Sequence, residues 1–172
     1  MKIILVGYMG SGKSTIGKQL SKNVGIPFYD LDEIIQKTEN ETIKYIFETK
    51  GEVYFRKIES LIFRNFIKNT NDFILALGGG TPCYANNHEI LQQQDIHSFY
   101  LKGSIDTLTH RLFQENENRP LIAKLPENEL EEYIRKHLFD RSYYYLQSKE
   151  VVLIDNKSIE TISNEIEQKL LA

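Results

Sequence analysis

Short apolar runs alternate with amphipathic stretches along the whole chain. Lys2-Ile3-Ile4-Leu5-Val6 has no polar alternation and reads as a strand buried on both faces. Ile26-Pro27-Phe28-Tyr29, Phe73-Ile74-Leu75-Ala76-Leu77, His97 to Leu101 and Val151 to Ile154 are further strand candidates. Pro27 suits the start of its strand rather than the middle. Between these runs the spacing turns helical, at Ile16 to Asn23, Leu31 to Lys37, Thr42 to Thr49, and a long segment that Gly51 opens and that runs to about Lys68. Helices are also predicted near Asn87 to Gln94, Ser104 to Phe113, Pro126 to about Gln147, and Ile159 to Leu171. In the last one Ser158 is the cap, and Ile159, Ile162, Ile166 and Leu170 share a face. Strands alternating with helices predict a parallel, doubly wound α/β sheet, whose ligands bind beyond the carboxyl ends of the strands.

Three strand ends carry residues suited to chemistry. The first runs into Gly7-Tyr8-Met9-Gly10-Ser11-Gly12-Lys13-Ser14, a full match to G-x-x-x-x-G-K-[ST], and a helix follows. Strand, glycine loop and helix form the context a phosphate-binding loop needs. Its backbone N–H groups would cradle phosphate oxygens, Lys13 would reach the β- and γ-phosphates, and the Ser14 hydroxyl would ligate Mg²⁺. A nucleoside triphosphate is the expected ligand. The second strand ends at Asp30-Leu31-Asp32, where one carboxylate can hold Mg²⁺ through water and the other can accept from an acceptor hydroxyl. Capping of the next helix is the structural alternative for that pair. The third strand ends at Gly78-Gly79-Gly80, bare backbone that a small polar ligand can approach closely.

Composition narrows the partners. With 172 residues, a net charge of −3 and a pI near 5.8, the chain has no basic field for nucleic acid or an anionic membrane. A lone cysteine, Cys83, excludes an internal disulfide and fits a reducing compartment. Met1 leads directly into the first strand, and no apolar run reaches the roughly twenty residues of a membrane span. A single cytoplasmic domain is expected. His88, His97, His110 and His137 lack metal-ligand spacing, so no His or Cys constellation competes with phosphoryl transfer.

Arginines on apolar faces point to the second substrate. Arg56 and Glu59 lie three apart on a helix whose Phe55, Ile58, Leu61, Ile62, Phe63 and Phe66 imply burial on several sides. An arginine there needs a partner: Glu59 either orients it toward an anion or forms a structural ion pair with it. Arg141 falls on the stripe of Leu130, Ile134, Leu138 and Tyr145 that should face inward. Two inward arginines suggest a small acceptor carrying a carboxylate or phosphate. Arg119, in a polar loop just before Pro120, would close as part of a lid over the transferring phosphoryl group, or else is solvated.

Taken together, the loop Gly7–Ser14, Asp30-x-Asp32, Phe55-Arg56-x-x-Glu59 after Gly51-Glu52, the triple glycine, Arg119-Pro120-Leu121 and the tyrosine-rich helix with Arg141 resemble the shikimate kinase family in order and spacing, over essentially the whole chain. The resemblance implies a three-layer α/β/α P-loop kinase fold. It would have a central five-stranded parallel sheet, a helical substrate-binding region at about 31–62 and a mobile lid at about 112–126. It also implies a cytoplasmic, monomeric enzyme that uses ATP and Mg²⁺ to phosphorylate the 3-hydroxyl of shikimate, a step toward chorismate and the aromatic amino acids. By matching position, Gly10, Ser11, Gly12, Lys13, Ser14, Thr15, Arg111, Arg119 and Asn156 would contact ATP. Asp32 would hold the shikimate hydroxyls, and Arg56 and Arg141 its carboxylate. Gly78, Gly79 and Gly80 would add backbone contacts, Phe47 and Phe55 would wall the pocket, and Ser14 would hold the metal with Asp30 acting through water. Lys13, Asp32 and Arg119 would carry the transfer. A kinase for another small acid such as gluconate, and a non-catalytic nucleotide-binding module, are the rival readings.

Overall fold

The computed structural model describes residues 1–115 and 122–172, which fold around one five-stranded parallel sheet. In chain order its elements are β1 (Lys2–Val6), α1 (Lys13–Val24), β2 (Phe28–Asp30), α2 (Leu31–Glu39), α3 (Ile43–Asn69) and β3 (Phe73–Ala76). Two 3₁₀ turns, Thr81–Cys83 and Asn87–Gln92, lead to β4 (Ile96–Lys102), α4 (Ile105–Gln114), α5 (Glu127–Tyr145), β5 (Glu150–Leu153) and α6 (Ile159–Leu171). The strand order is β2-β3-β1-β4-β5.

Side-chain alternation along the strands separates two buried layers. Ile3, Leu5, Ile74, Phe99, Leu101 and Val152 meet Ile16 and Leu20 of α1 and Ile162 and Ile166 of α6 on one face. Ile4, Val6, Phe73, Leu75, Ile96 and Tyr100 point the other way, onto Leu31 and Ile35 of α2, Phe63 and Ile67 of α3, and Ile134 and Leu138 of α5. Because both faces are covered, β1 and β3 are continuous apolar runs in sequence. After β1 the chain crosses on the α1 face, and after β3 it crosses on the other, where Ile90 and Leu91 pack. The crevice between the carboxyl ends of β1 and β3 is therefore the switch point where such sheets bind ligands.

Some details depart from the sequence expectations. At Gly51 there is no departure: α3 is the two predicted helices set end to end, and Gly51, with non-helical dihedrals (φ 83, ψ 172), separates them and opens the second. Of the apolar residues expected to bury several sides of that helix, Phe55, Ile58 and Phe63 are buried and Ile62 and Phe66 partly so, while Leu61 lies in solvent. The helix predicted from Asn87 is a 3₁₀ turn, entered through Ala85 and Asn86 at positive φ. Buried Asn87 spends its side chain on the Thr81 carbonyl and the Ser60 hydroxyl, local bonds that compete with a regular helix. Ile159, expected on the inner face of α6, is largely exposed. Part of the expected lid, with Arg119, lies outside the described residues.

Candidate active site

The turn after β1 is shaped for an anion. Gly10 and Gly12 adopt φ of 80° and 88°, a region costly for any residue with a Cβ. Gly12 is the entry to α1, whose first turn has neither a side-chain cap bond nor an acidic residue, so its N–H groups and positive dipole end face the cleft. The Tyr8 carbonyl accepts from Ser11 N–H (3.1 Å) and from Lys13 Nζ (3.1 Å), which also donates to Gly7 O at 2.7 Å. Lys13 is thus folded over the loop it serves. Arg111 reaches in from α4, with Nη1 3.3 Å from Gly10 O. The resulting cleft of about 500 Å³ is lined by Gly10, Gly12 to Ile16, Asp30, Asp32, Gly78, Gly79, Arg111 and Lys157, among others.

Asp30 combines the two roles that its sequence context left open. One carboxylate oxygen accepts from the backbone N–H of Asp32 (2.9 Å) and caps α2; the other accepts from Ser14 Oγ at 2.9 Å. A hydroxyl and a carboxylate side by side at the cleft form a hard-oxygen pair of the kind Mg²⁺ takes. Among the described residues no three His, Cys, Asp or Glu side chains converge, so a cation here would draw its remaining ligands from phosphate and water. Asp32 sits deeper. Burial, then the neighbouring Asp30 and Glu59 carboxylates, push its carboxyl up to about 6 against the pull of Lys13 and Arg56. It is therefore poised to exchange a proton near neutral pH.

The triple glycine is bare because functional side chains occupy the space its Cβ atoms would fill. A Cβ at Gly78 would lie 3.1 Å from Asp32 Oδ1, one at Gly79 3.2 Å from Arg141 Nη1, and one at Gly80 2.6 Å from Arg56 Nη2. The Gly79 position is also 3.7 Å from the backbone nitrogen of Met9, which ties this turn to the phosphate loop. The Tyr145 hydroxyl donates to the Gly79 carbonyl at 2.5 Å. Arg56 pairs with the buried carboxylate of Glu59 at 2.9 Å and lies 4.1 Å over the Tyr84 ring and 5.2 Å over Phe55. Its Nε is buried, makes no hydrogen bond and stands 3.8 Å from Glu52. Arg141 lies 5.8 Å over the Tyr8 ring. Phe47 and Phe55 stack 4.6 Å apart beside them. Burial raises the Cys83 thiol to about 11, against nucleophilic use.

The structure therefore gathers Gly10, Gly12 to Thr15, Asp30, Asp32, Gly78, Gly79 and Arg111 on one cleft, with Arg56, Arg141 and Gly80 continuing its wall, while the Ser11 side chain is buried beneath the loop. Arg111 meets the phosphate loop itself rather than a separate base pocket. Asn156 is an exposed turn residue at φ 55 beside Lys157, and Lys157 lines the cleft while bonded to Glu165 at 2.6 Å. Sequence reasoning missed Lys157, Thr81, Tyr84 and the 2.9 Å bond between the Tyr8 hydroxyl and His137 Nδ1. Tyr8 fills a place the loop motif leaves unspecified and Thr81 follows the triple glycine outside any motif, so only spatial partners reveal them.

Known proteins resemble this chain in sequence and fold. A shikimate kinase of Flavobacterium johnsoniae is 53% identical over 96% of this chain and 96% of its own. The crystal structure of shikimate kinase from Bacteroides thetaiotaomicron superposes with a TM-score of 0.91 at 28% identity, covering 100% of this chain and 99% of that one. Shikimate kinase from Acinetobacter baumannii in complex with shikimate matches with a TM-score of 0.86 at 30% identity, covering 99% and 92%. The family model described as Shikimate kinase spans residues 9–171, from the phosphate loop through the glycine wall to the end of α6. On the sequence match and the superposition of the fold alike, the chain belongs to the shikimate kinase family.

Proposed function

We propose that this cleft transfers the γ-phosphoryl group of ATP to the 3-hydroxyl of shikimate, giving shikimate 3-phosphate and ADP on the way to chorismate. One observation carries the assignment: two arginines from different helices, Arg56 and Arg141, meet at the glycine turn that abuts the phosphate loop. A small carboxylated ring held by both guanidiniums would present a hydroxyl toward Asp32 and the loop. ATP would lie with its phosphates on Gly10 to Thr15, under Lys13 and Arg111, and its base toward the Asn156 turn. Ser14, and Asp30 through water, would hold Mg²⁺, which when bound supplies charge neutralisation on the phosphate oxygens.

In the reaction the acceptor oxygen forms a bond to Pγ as the bond from Pγ to the β-bridging oxygen breaks, and the leaving electron pair stays on ADP. Asp32 orients the hydroxyl and takes its proton; the raised affinity for a proton at this carboxyl suits that role. Lys13 stabilises the charge that gathers on the transferring group. Arg119 is assigned to close over the phosphates with the segment around 112–126, and α2 with the first part of α3 forms the acceptor side. The reading includes a monomeric, cytoplasmic enzyme. No helix among the described residues is long and apolar enough to cross a membrane. Coupled ADP production with ATP and Mg²⁺ tests it, using shikimate, gluconate or no acceptor. ADP release only with shikimate is expected; equal release with gluconate, or none with either, would overturn it.

A further inference from the structure

Behind Arg56 stands a chain of buried polar side chains, Glu59, Thr81, Asn87 and Ser60, none of which lines the cleft. We propose that Thr81 is a positioning residue for the acceptor's carboxylate: it holds Glu59 in the orientation in which Glu59 holds Arg56. The inference rests on Arg56 clamping that carboxylate.

Glu59 is 1% exposed, and a carboxylate so placed needs a donor at each oxygen. Oε1 accepts from Arg56 Nη1 at 2.9 Å, and Oε2 accepts from Thr81 Oγ1 at 2.8 Å. Thr81, itself wholly buried, is anchored twice through its backbone. Its N–H donates to the Gly78 carbonyl (3.1 Å), and its carbonyl accepts from Asn87 Nδ2 (2.9 Å). Asn87 is fixed in turn by the Ser60 hydroxyl at 2.8 Å. Two side-chain hydrogen bonds therefore connect the glycine turn to the guanidinium, and the rotamer of Glu59 is set from outside the substrate pocket.

Arg56 has competing partners. Its Nε faces Glu52 at 3.8 Å, and its plane rests on Tyr84. Without the Thr81 hydroxyl, Oε2 would be an orphaned buried acceptor. Glu59 would then turn both oxygens onto Arg56 or swing away, and either motion moves the guanidinium off the bearing that Gly80 leaves open. Valine matches the shape of threonine and lacks only the donor, so packing is nearly conserved while the bond is lost.

The test is steady-state kinetics of Thr81→Val, Thr81→Ser and Arg56→Ala, and of Thr81→Val combined with Arg56→Ala. Loss of one donor to a charged acceptor should raise the shikimate KM about tenfold in Thr81→Val, with the ATP KM changed by less than about twofold. Thr81→Ser should restore it to within about threefold. In the Arg56→Ala background, Thr81→Val should add less than about twofold, because its effect passes through Arg56. Full additivity there, or a parallel rise in both KM values, would overturn the inference in favour of general destabilisation. So would an unchanged shikimate KM in Thr81→Val beside a raised one in Arg56→Ala. An unchanged KM in Arg56→Ala would instead overturn the clamp itself. Should the valine variant not fold, Thr81→Ala, which adds no atom, is assayed in its place against the same outcomes.

Discussion

Replacing Asp32 with Asn should stabilise the ligand-free protein while abolishing its activity. Burial and the neighbouring Asp30 and Glu59 carboxylates raise the Asp32 carboxyl from 3.8 to about 6, so the folded state binds its proton more tightly than the unfolded chain does. The stability this confers is complete below the unfolded value and is lost as pH rises through the folded one. At about 1.4 kcal/mol per pH unit the ionised carboxylate costs about 3 kcal/mol at neutral pH. Asn copies the shape of the neutral acid and carries no charge, so Asp32→Asn escapes that cost. Between about pH 4.5 and about pH 7.5 the stability gap in favour of the variant should widen by about 2 kcal/mol, or about 4 to 8 °C in Tm for a chain of this size. Thermal and urea melts of both proteins across that range, without nucleotide, measure it. A gap that stays constant with pH, or one that narrows toward neutrality, would refute the claim that buried negative charge at Asp32 is held at the expense of folding.

Other expectations follow from the same geometry. In the wild-type enzyme kcat/KM should rise with pH through about 6 and then level, because the carboxylate form accepts the hydroxyl's proton; a limb near 4 instead would show an unperturbed acid. Arg141→Ala should raise the shikimate KM by about tenfold or more while the ATP KM holds, as loss of a charge-assisted contact from one substrate alone requires; an unchanged shikimate KM would remove it from the clamp. Gly80→Ala places a Cβ where Arg56 Nη2 now lies, 2.6 Å away, and should mimic loss of Arg56 in the same assay, with the fold intact by circular dichroism. Lys13→Ala should lower kcat by about a hundredfold or more, the cost of removing one preorganised donor; a mild loss would mean that Arg111 and the loop N–H groups suffice.

Much of the site was legible in the chain because its parts are local. The phosphate loop is a contiguous motif between a strand and a helix, and its glycines at positive φ are demanded by backbone sterics alone. The sheet was legible for a similar reason: strands covered on both faces must be largely apolar, and β3, and β1 beyond Lys2, are. Asp30 was read as cap or cation ligand, and the structure makes it a cap with a second oxygen on Ser14. The 3₁₀ turn at Asn87 escaped the sequence because it depends on what the chain meets elsewhere, a buried bond to Thr81.

From the order of its residues this protein was bound to make a parallel sheet with an anion cradle at one strand end, since periodicity and steric limits act over a few neighbours. Which side chains would converge on that cradle was a matter for the folded chain. The Arg56–Glu59 pair of α3, Thr81 and Arg141 come from three separate segments and meet only after β3 has paired beside β1 and brought the glycine turn to the loop. The proton affinity of Asp32 was likewise beyond the reach of sequence, because desolvation and the field of Asp30 and Glu59 arise from packing. Short-range geometry decides the elements; long-range contact decides the charges they face.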